Sequence, residues 1–187
     1  MSRLTQRSAD DMTEAQRAQF EQMAKGRTLR ADGSLGGPFD ALILNPEMGR
    51  RIVALGDTLR FRTGIGRRFV ELAILVTGQF WQAQFEWYAH EPMAREAGVP
   101  EDVIQAIKVG DEPTFADPRD AACYRFCTAM HRDHQVDDAT YQSALEHFGE
   151  QGLTELIGVS GLYTMVSMTL NTFRIGLPDG AQPPFPT

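Results

Sequence analysis

Residues 67–98, RRFVELAILVTGQFWQAQFEWYAHEPMAREAG, decide the fold of this chain. Apolar side chains recur along them with a period near 3.6 residues, which predicts helix, and no hairpin signal interrupts the pattern. The stretch divides at Thr77-Gly78, because glycine commonly ends a helix. We therefore predict one helix from Arg67 to Val76 and a second from Trp81 to Ala97.

The same period recurs in the rest of the chain and predicts an all-α fold. The other predicted helices cover residues 11–25, 50–59, 101–109, 118–131, 138–148 and 154–173. Thr13 is a plausible cap for the first of them, and Gly26 a plausible stop. The glycine-rich segment that follows is predicted to cross the surface as a loop, and its apolar residues 39–44 are expected to pack on another surface, such as a second subunit.

These patterns divide the chain into three parts. Residues 1–44 are predicted to form an N-terminal helix and a glycine-rich arm, and residues 45–176 a helical domain. Residues 177–187 are predicted to form an irregular tail, since proline and glycine are frequent in them.

Composition excludes several classes of function. The 187 residues carry a net charge of -7, which gives no electrostatic support to nucleic-acid binding. The N-terminus lacks the apolar segment of a signal peptide, and no run of 18 apolar residues predicts a membrane span. Cys123 and Cys127 lie four residues apart in a predicted helix, where disulfide geometry is poor. We expect a reduced, cytoplasmic protein with both cysteines in its core.

Three polar residues of the quoted stretch suggest chemistry. Glu86 and His90 are four residues apart, so they share one helix face. Glu71 lies nineteen residues before His90, roughly 28 Å away along a straight helix, and reaches it only if the chain turns between them. A carboxylate beside an imidazole raises the pKa of the ring, and an apolar wall lowers it. Such a group can move protons near neutral pH, although Glu–His pairs are also common on solvated helix faces.

The segments RRFVELAIL and EWYAHEPMAREAGVPEDVIQAI together resemble the carboxymuconolactone decarboxylase family, which includes the AhpD-like alkylhydroperoxidases. The resemblance covers about residues 45–110 and rests on a glutamate, a nineteen-residue step to histidine, and the motif A-G-V-P-x-x-x-I. Residues 120–178 are similar to the C-terminal part of longer members. The resemblance implies an AhpD-like helical bundle that forms a homotrimer or homohexamer, with its site near a subunit contact.

The AhpD-like branch combines the glutamate and histidine with a Cys-x-x-Cys pair. Here the glutamate matches Glu71 and the histidine matches His90, but Ala83 and Glu86 occupy the cysteine positions. A thiol peroxidase needs one thiolate to attack peroxide and a second thiol to resolve the intermediate. The resemblance therefore implies the decarboxylase branch: a cofactor-free lyase that acts on a small carboxylated lactone or a related acid, in the catabolism of aromatic compounds.

For this chemistry we predict roles for three catalytic residues. His90 would donate or shuttle a proton, Glu86 would orient and tune it, and Glu71 would act from the facing helix as a second base or through water. Further candidates are side chains able to bind the substrate carboxylate or to form pocket walls. They are Arg67, Arg68, Arg174, Trp81, Phe85 and Tyr88.

Two other functions stay open at this point. Glu71, Glu86 and His90 form a ligand set able to hold a divalent cation, although the resemblance implies no metal. His131 and His134 are more typical of a solvated helix end than of a metal site. The chain could instead be a non-catalytic module, because its long arm and its PPFPT tail suit contact with a partner.

Overall fold

The structure is a computed structural model that describes residues 2–5 and 9–186. The described residues contain eight α-helices and no strand, which confirms the predicted all-α class. The helices are α1 (Glu14–Ala24), α2 (Phe39–Leu42), α3 (Pro46–Phe61), α4 (Arg67–Phe80), α5 (Gln84–Glu96), α6 (Glu101–Val109), α7 (Pro118–Arg132) and α8 (Asp138–Phe173). A single 3-10 turn, Ala9–Asp11, precedes them.

Helix α4 forms the centre of the bundle. It packs against α5, α7 and α8, and every residue from Phe69 to Gly78 is buried. A helix that is apolar on all sides is stable in water only when neighbours cover it. Glu71 is the one charged side chain in this buried run, and it is only 1% exposed. Its position in the core therefore requires a polar partner nearby.

The chain turns between α4 and α5, but not at Gly78. Helix α4 continues to Phe80, and Gly78 lies buried inside it. The turn occupies residues 81–83, where Gln82 has φ 48°. The predicted helix boundaries at Val76 and Trp81 are therefore wrong. The chain still folds back as the resemblance requires, and α5 packs along α4.

The N-terminal arm packs on its own chain. Thr13 and Gln16 form a capping box at the start of α1, as the sequence predicts for Thr13. The apolar strip 39–44 contains α2 and contributes Leu42 and Ile43 to a second small core with Met23 and Leu35. The middle of the strip, residues 41–43, is thus buried against its own chain.

Helix α8 contains two predicted helices. Gly149 has φ 64° and ψ 175°, which no right-handed helix adopts, and it separates the two parts. By length and composition α8 is also the one described helix able to cross a membrane, with a mean hydropathy of 1.3 in its most apolar window. Half of that window is buried within the molecule, where α8 packs against α4 and α7. This packing is typical of a core helix.

The C-terminal tail lies against α5. Gln84 donates through its amide to the Phe185 carbonyl at 3.0 Å and accepts from the Phe185 amide, also at 3.0 Å. The Phe185 ring is 3% exposed and meets the ring of Trp87 edge-on, with centroids 5.3 Å apart. The tail therefore completes the cover of α5.

Candidate active site

Glu71, Glu86 and His90 lie together in the interior. The His90 Nδ1 atom is 2.7 Å from Glu71 Oε2 across the α4–α5 contact. On the other side of the ring, His90 Nε2 is 3.0 Å from Glu86 Oε1, one helical turn away. The exposed fractions of the three residues are 1% for Glu71, 3% for Glu86 and 6% for His90. One imidazole is thus held between two buried carboxylates.

Both carboxylates act on the charge of the ring. Burial disfavours the imidazolium, but the negative charge of Glu86 and the hydrogen bond to Glu71 outweigh it and raise the pKa of His90 to about 9. At neutral pH the ring therefore carries two N–H protons, one directed at each carboxylate. The imidazolium of His90 is therefore placed to act as a proton donor.

Tyr163 forms a wall of the site that the sequence did not indicate. Its ring meets His90 edge-on, with centroids 5.1 Å apart. Burial and the charges of Glu86 and Glu71 raise the pKa of its hydroxyl well above the ordinary value, so the hydroxyl stays protonated. Tyr163 lies on α8, more than seventy residues from His90 in sequence, and no local pattern connects the two.

Arg60 is the second residue that sequence reasoning missed. Its positive charge opposes the rise in the pKa of Tyr163. Its Nη2 atom donates to Met93 Sδ at 3.2 Å, one turn beyond His90 on α5. Arg60 therefore comes from α3 to the edge of the site.

The arginines predicted for the substrate are engaged elsewhere or exposed. Arg67 pairs with Glu96 at 3.4 Å on the surface, and Arg68 pairs with the buried Asp120. Arg174 ends α8 in a left-handed conformation and is exposed. The structure does not bring any of them into contact with His90.

The predicted aromatic walls also differ from the structure. Tyr88 is 41% exposed, so it faces away from the buried site, and its neighbour Trp87 is the fully buried ring. Trp81 lies in the turn and donates from Nε1 to Thr164 Oγ1 at 3.4 Å. Phe85 lies close to Gly37, under the N-terminal arm. The ring that meets His90 edge-on in the described residues is Tyr163.

Both cysteines are buried and free. Cys123 and Cys127 are 0% exposed, and they belong to the main core, as expected. The hydrogen bond with Cys127 and the burial raise the pKa of Cys123 well above its ordinary value. A protonated, inaccessible thiol is a poor nucleophile.

The geometry suits proton exchange better than metal binding. A metal ion needs a neutral histidine nitrogen with a free lone pair. In His90 both ring nitrogens face carboxylates, so a cation would have to displace one of these contacts. No group of three or more His, Cys, Asp or Glu side chains in the described part of the chain is arranged to hold a metal ion.

His131 is buried, which corrects the expectation of a solvated helix end. It is 8% exposed, lies 2.9 Å from Thr77 Oγ1 through Nε2, and stacks on Phe80 at 5.1 Å. The Thr77 hydroxyl already donates to the Ala73 carbonyl, so His131 Nε2 is the donor in this pair. Burial lowers the pKa of His131, which makes it a neutral core residue. His134 is exposed, as expected.

The fold is AhpD-like. A peroxidase-related protein of Ralstonia eutropha JMP134, described as an uncharacterized protein with an alkylhydroperoxidase AhpD core, is 19% identical, with a TM-score of 0.76 over 95% of this chain and 93% of that one. A similar peroxidase-related protein from Silicibacter sp. TM1040 is 16% identical, with a TM-score of 0.73 over 96% and 92% of the two chains. The debrominase Bmp8, solved with 2,3,4-tribromopyrrole, is 12% identical, with a TM-score of 0.70 over 95% and 91%.

Residues 46–129 match the carboxymuconolactone decarboxylase family, and this segment holds Glu71, Glu86 and His90. This match covers somewhat less than half of the chain, and the fold of the chain as a whole is AhpD-like. No curated protein matches the chain significantly.

Proposed function

We propose that this protein is a cofactor-free enzyme that transfers a proton to carbon on a small carboxylated substrate, of which a carboxylated lactone is the leading candidate. The observation that carries the proposal is the buried His90 imidazolium between Glu71 and Glu86. The match of residues 46–129 to a family named for a decarboxylase supports it.

The roles follow from the two ring contacts. Glu71 accepts the short hydrogen bond from Nδ1, so it holds the ring in one orientation. Glu86 faces Nε2 in a close ion-pair contact, which makes Nε2 the nitrogen that can release its proton once a substrate displaces Glu86. We therefore assign to Glu71 the orienting role that was expected of Glu86. Glu86 keeps the role of raising the pKa of the ring.

In a decarboxylation the bond between the substrate carbon and its carboxylate breaks, and CO2 leaves. The electron pair stays on carbon as a dienolate conjugated with the lactone carbonyl. His90 Nε2 then gives its proton to that carbon, with a shift of the double bond, and the neutral ring regains a proton from solvent. Because the three side chains are nearly fully buried, a substrate reaches them only when the walls of the site move.

The test is turnover of carboxylated lactones in D2O, with CO2 release and deuterium incorporation measured together. His90→Ala is expected to lower turnover by about 100-fold or more. His134→Ala is the matched control, because His134 is exposed and outside the site. Equal rates in the wild type and in His90→Ala would refute the proposal.

A hydroperoxidase is the alternative within the same family. Ala83 and Glu86 supply no thiol at the two positions where that branch carries cysteines, and Cys123 and Cys127 are inaccessible. We therefore expect no rapid peroxide consumption in the presence of a dithiol reductant. Fast consumption that disappears in Cys123→Ser would assign the protein to the peroxidase branch instead.

A further inference from the structure

A cleft between α1 and α3 gathers positive charge in an acidic protein. Its volume is about 430 Å³. The charged and amide side chains that line it are Gln19, Gln22, Lys25, Arg27, Arg50, Asp57 and Arg60. Four of these carry a positive charge and one carries a negative charge, whereas the whole chain has a net charge of -7. The cleft is therefore a local exception to the charge of the molecule.

In the part of the chain that the structure describes, Arg60 forms no ion pair, although Asp57 lines the same cleft. Its Nε atom is buried and has no hydrogen-bond partner. The remaining contacts of its guanidinium are the sulfur of Met93 and the face of Phe61, 4.9 Å from the ring centroid. Neither contact is an anion. Withdrawing a guanidinium from water without an anionic partner costs free energy, and a bound anion would recover it.

Two more polar side chains line the cleft beside Arg60. Gln19 is 6% exposed, and it brings its amide to the wall of the cleft. Lys25, at the end of α1, has no carboxylate within ion-pair distance in the same part of the chain. Arg50 differs, because Glu47 already pairs with it at 2.9 Å. Three of the four cations that line the cleft therefore form no ion pair with a carboxylate among the described residues: Lys25, Arg27 and Arg60.

We propose that this cleft binds a small organic oxyanion through Arg60, Lys25 and Gln19. The planar fork of a guanidinium matches the two oxygens of a carboxylate or a phosphate, and the amide of Gln19 adds a neutral donor. The volume suits a di- or tricarboxylic acid or a small phosphate ester. The proposal rests on the proposed function only if the bound acid is also the substrate, because Arg60 contacts Met93, one helical turn beyond His90.

Isothermal titration with citrate and with inorganic phosphate tests the site without any turnover. Sodium chloride at equal ionic strength corrects for screening. We expect citrate to bind at one site and Arg60→Met to weaken that binding by about tenfold or more, since a charge-assisted contact is lost. Arg62→Met is the matched control: Arg62 is exposed two residues further on, outside the cleft, and the change is expected to leave affinity unaltered.

Lys25→Gln tests the same site if the Arg60 variant misfolds, because Lys25 is exposed and its replacement leaves the core intact. It is expected to weaken citrate binding with an unchanged circular dichroism spectrum.

Tighter binding of phosphate than of citrate would assign the site to phosphorylated compounds, and tighter binding of citrate would assign it to carboxylic acids. Binding of neither anion, or equal affinity in wild type and Arg60→Met, overturns the proposal. His90→Ala should bind citrate normally even if the proton-transfer proposal fails.

Discussion

At the scale of single residues, the charge of His90 determines what the site can do. An imidazole buried alone would be neutral, because burial lowers its pKa. Glu86 and Glu71 reverse that effect and raise the pKa of His90 to about 9. The ring is therefore a proton donor at neutral pH, and it becomes a base only after it has released its proton.

The same pKa predicts how stability depends on pH. The pKa of His90 is about 6.5 in the unfolded chain and about 9 in the fold, so the folded state binds more protons between these values. The contribution is fully present below pH 6.5 and is lost as pH rises to about 9. We expect the free energy of unfolding to fall over this interval by on the order of 3 kcal/mol, measured by urea denaturation.

Removal of one negative charge should abolish this dependence. In Glu86→Gln the pKa of His90 is expected to drop, because the largest charge that raises it is gone. The free energy of unfolding should then vary little between pH 6.5 and about 9. Glu150→Gln, an exposed change on α8, is the control and should keep the dependence of the wild type. A flat profile in the wild type itself would contradict the assigned charge.

At the scale of elements, the sequence predicted the two helices of the site better than the turn between them. Periodicity identified α4 and α5, because their apolar faces repeat locally. Gly78 was taken as the stop, yet a glycine inside a helix is tolerated when packing supplies the stability. In the actual turn Gln82 adopts a left-handed conformation. The sequence does not predict this turn, because glycine or asparagine is the usual residue in that conformation.

The tail is the element whose role is easiest to isolate. Phe185 covers Trp87, and among the described residues Gln84 adds the two hydrogen bonds that hold it. Loss of a buried phenyl ring costs about 3–5 kcal/mol where packing cannot recover, so Phe185→Ala should release the tail. Quenching of tryptophan fluorescence by acrylamide is expected to increase, because Trp87 becomes accessible. Pro186→Ala, exposed and adjacent, should leave quenching unchanged.

At the scale of the whole molecule, apolar side chains remain uncovered on α3 and α8. Ile157 and Met168 are eleven residues apart, which places them on one face of α8, and they are 53% and 49% exposed. Leu55, on the neighbouring α3, is 48% exposed. We propose that this outer face of α3 and α8 is the contact of a homo-oligomer, in line with the trimer or hexamer that the family resemblance implies.

A charge placed on that face should separate the subunits. Ile157→Asp is expected to convert the oligomer to monomer in sedimentation velocity, since an unpaired carboxylate is costly in an apolar contact. Val109→Asp is the matched control, because Val109 is 70% exposed at the end of α6 and away from this face. A wild-type protein that sediments as a monomer would contradict the proposed contact.

The parts of the site that the sequence could not predict depend on long-range contacts. Glu71, Glu86 and His90 share one short segment, so spacing and family resemblance indicate them together. Arg60 reaches the site from α3, and Tyr163 reaches it from α8, through packing that no local pattern encodes. The predicted arginines, Arg67 and Arg68, were nearer in sequence but form surface and interhelical ion pairs instead.

The charge state of His90 is the most direct test of the account, because a proton donor at neutral pH must hold its proton there. The ring nitrogens can be followed by 15N NMR as a function of pH, with His90→Ala to assign the signals. The account predicts an imidazolium protonated on both nitrogens at neutral pH, titrating near pH 9. A ring that is already neutral at pH 7, with an ordinary pKa, would contradict it.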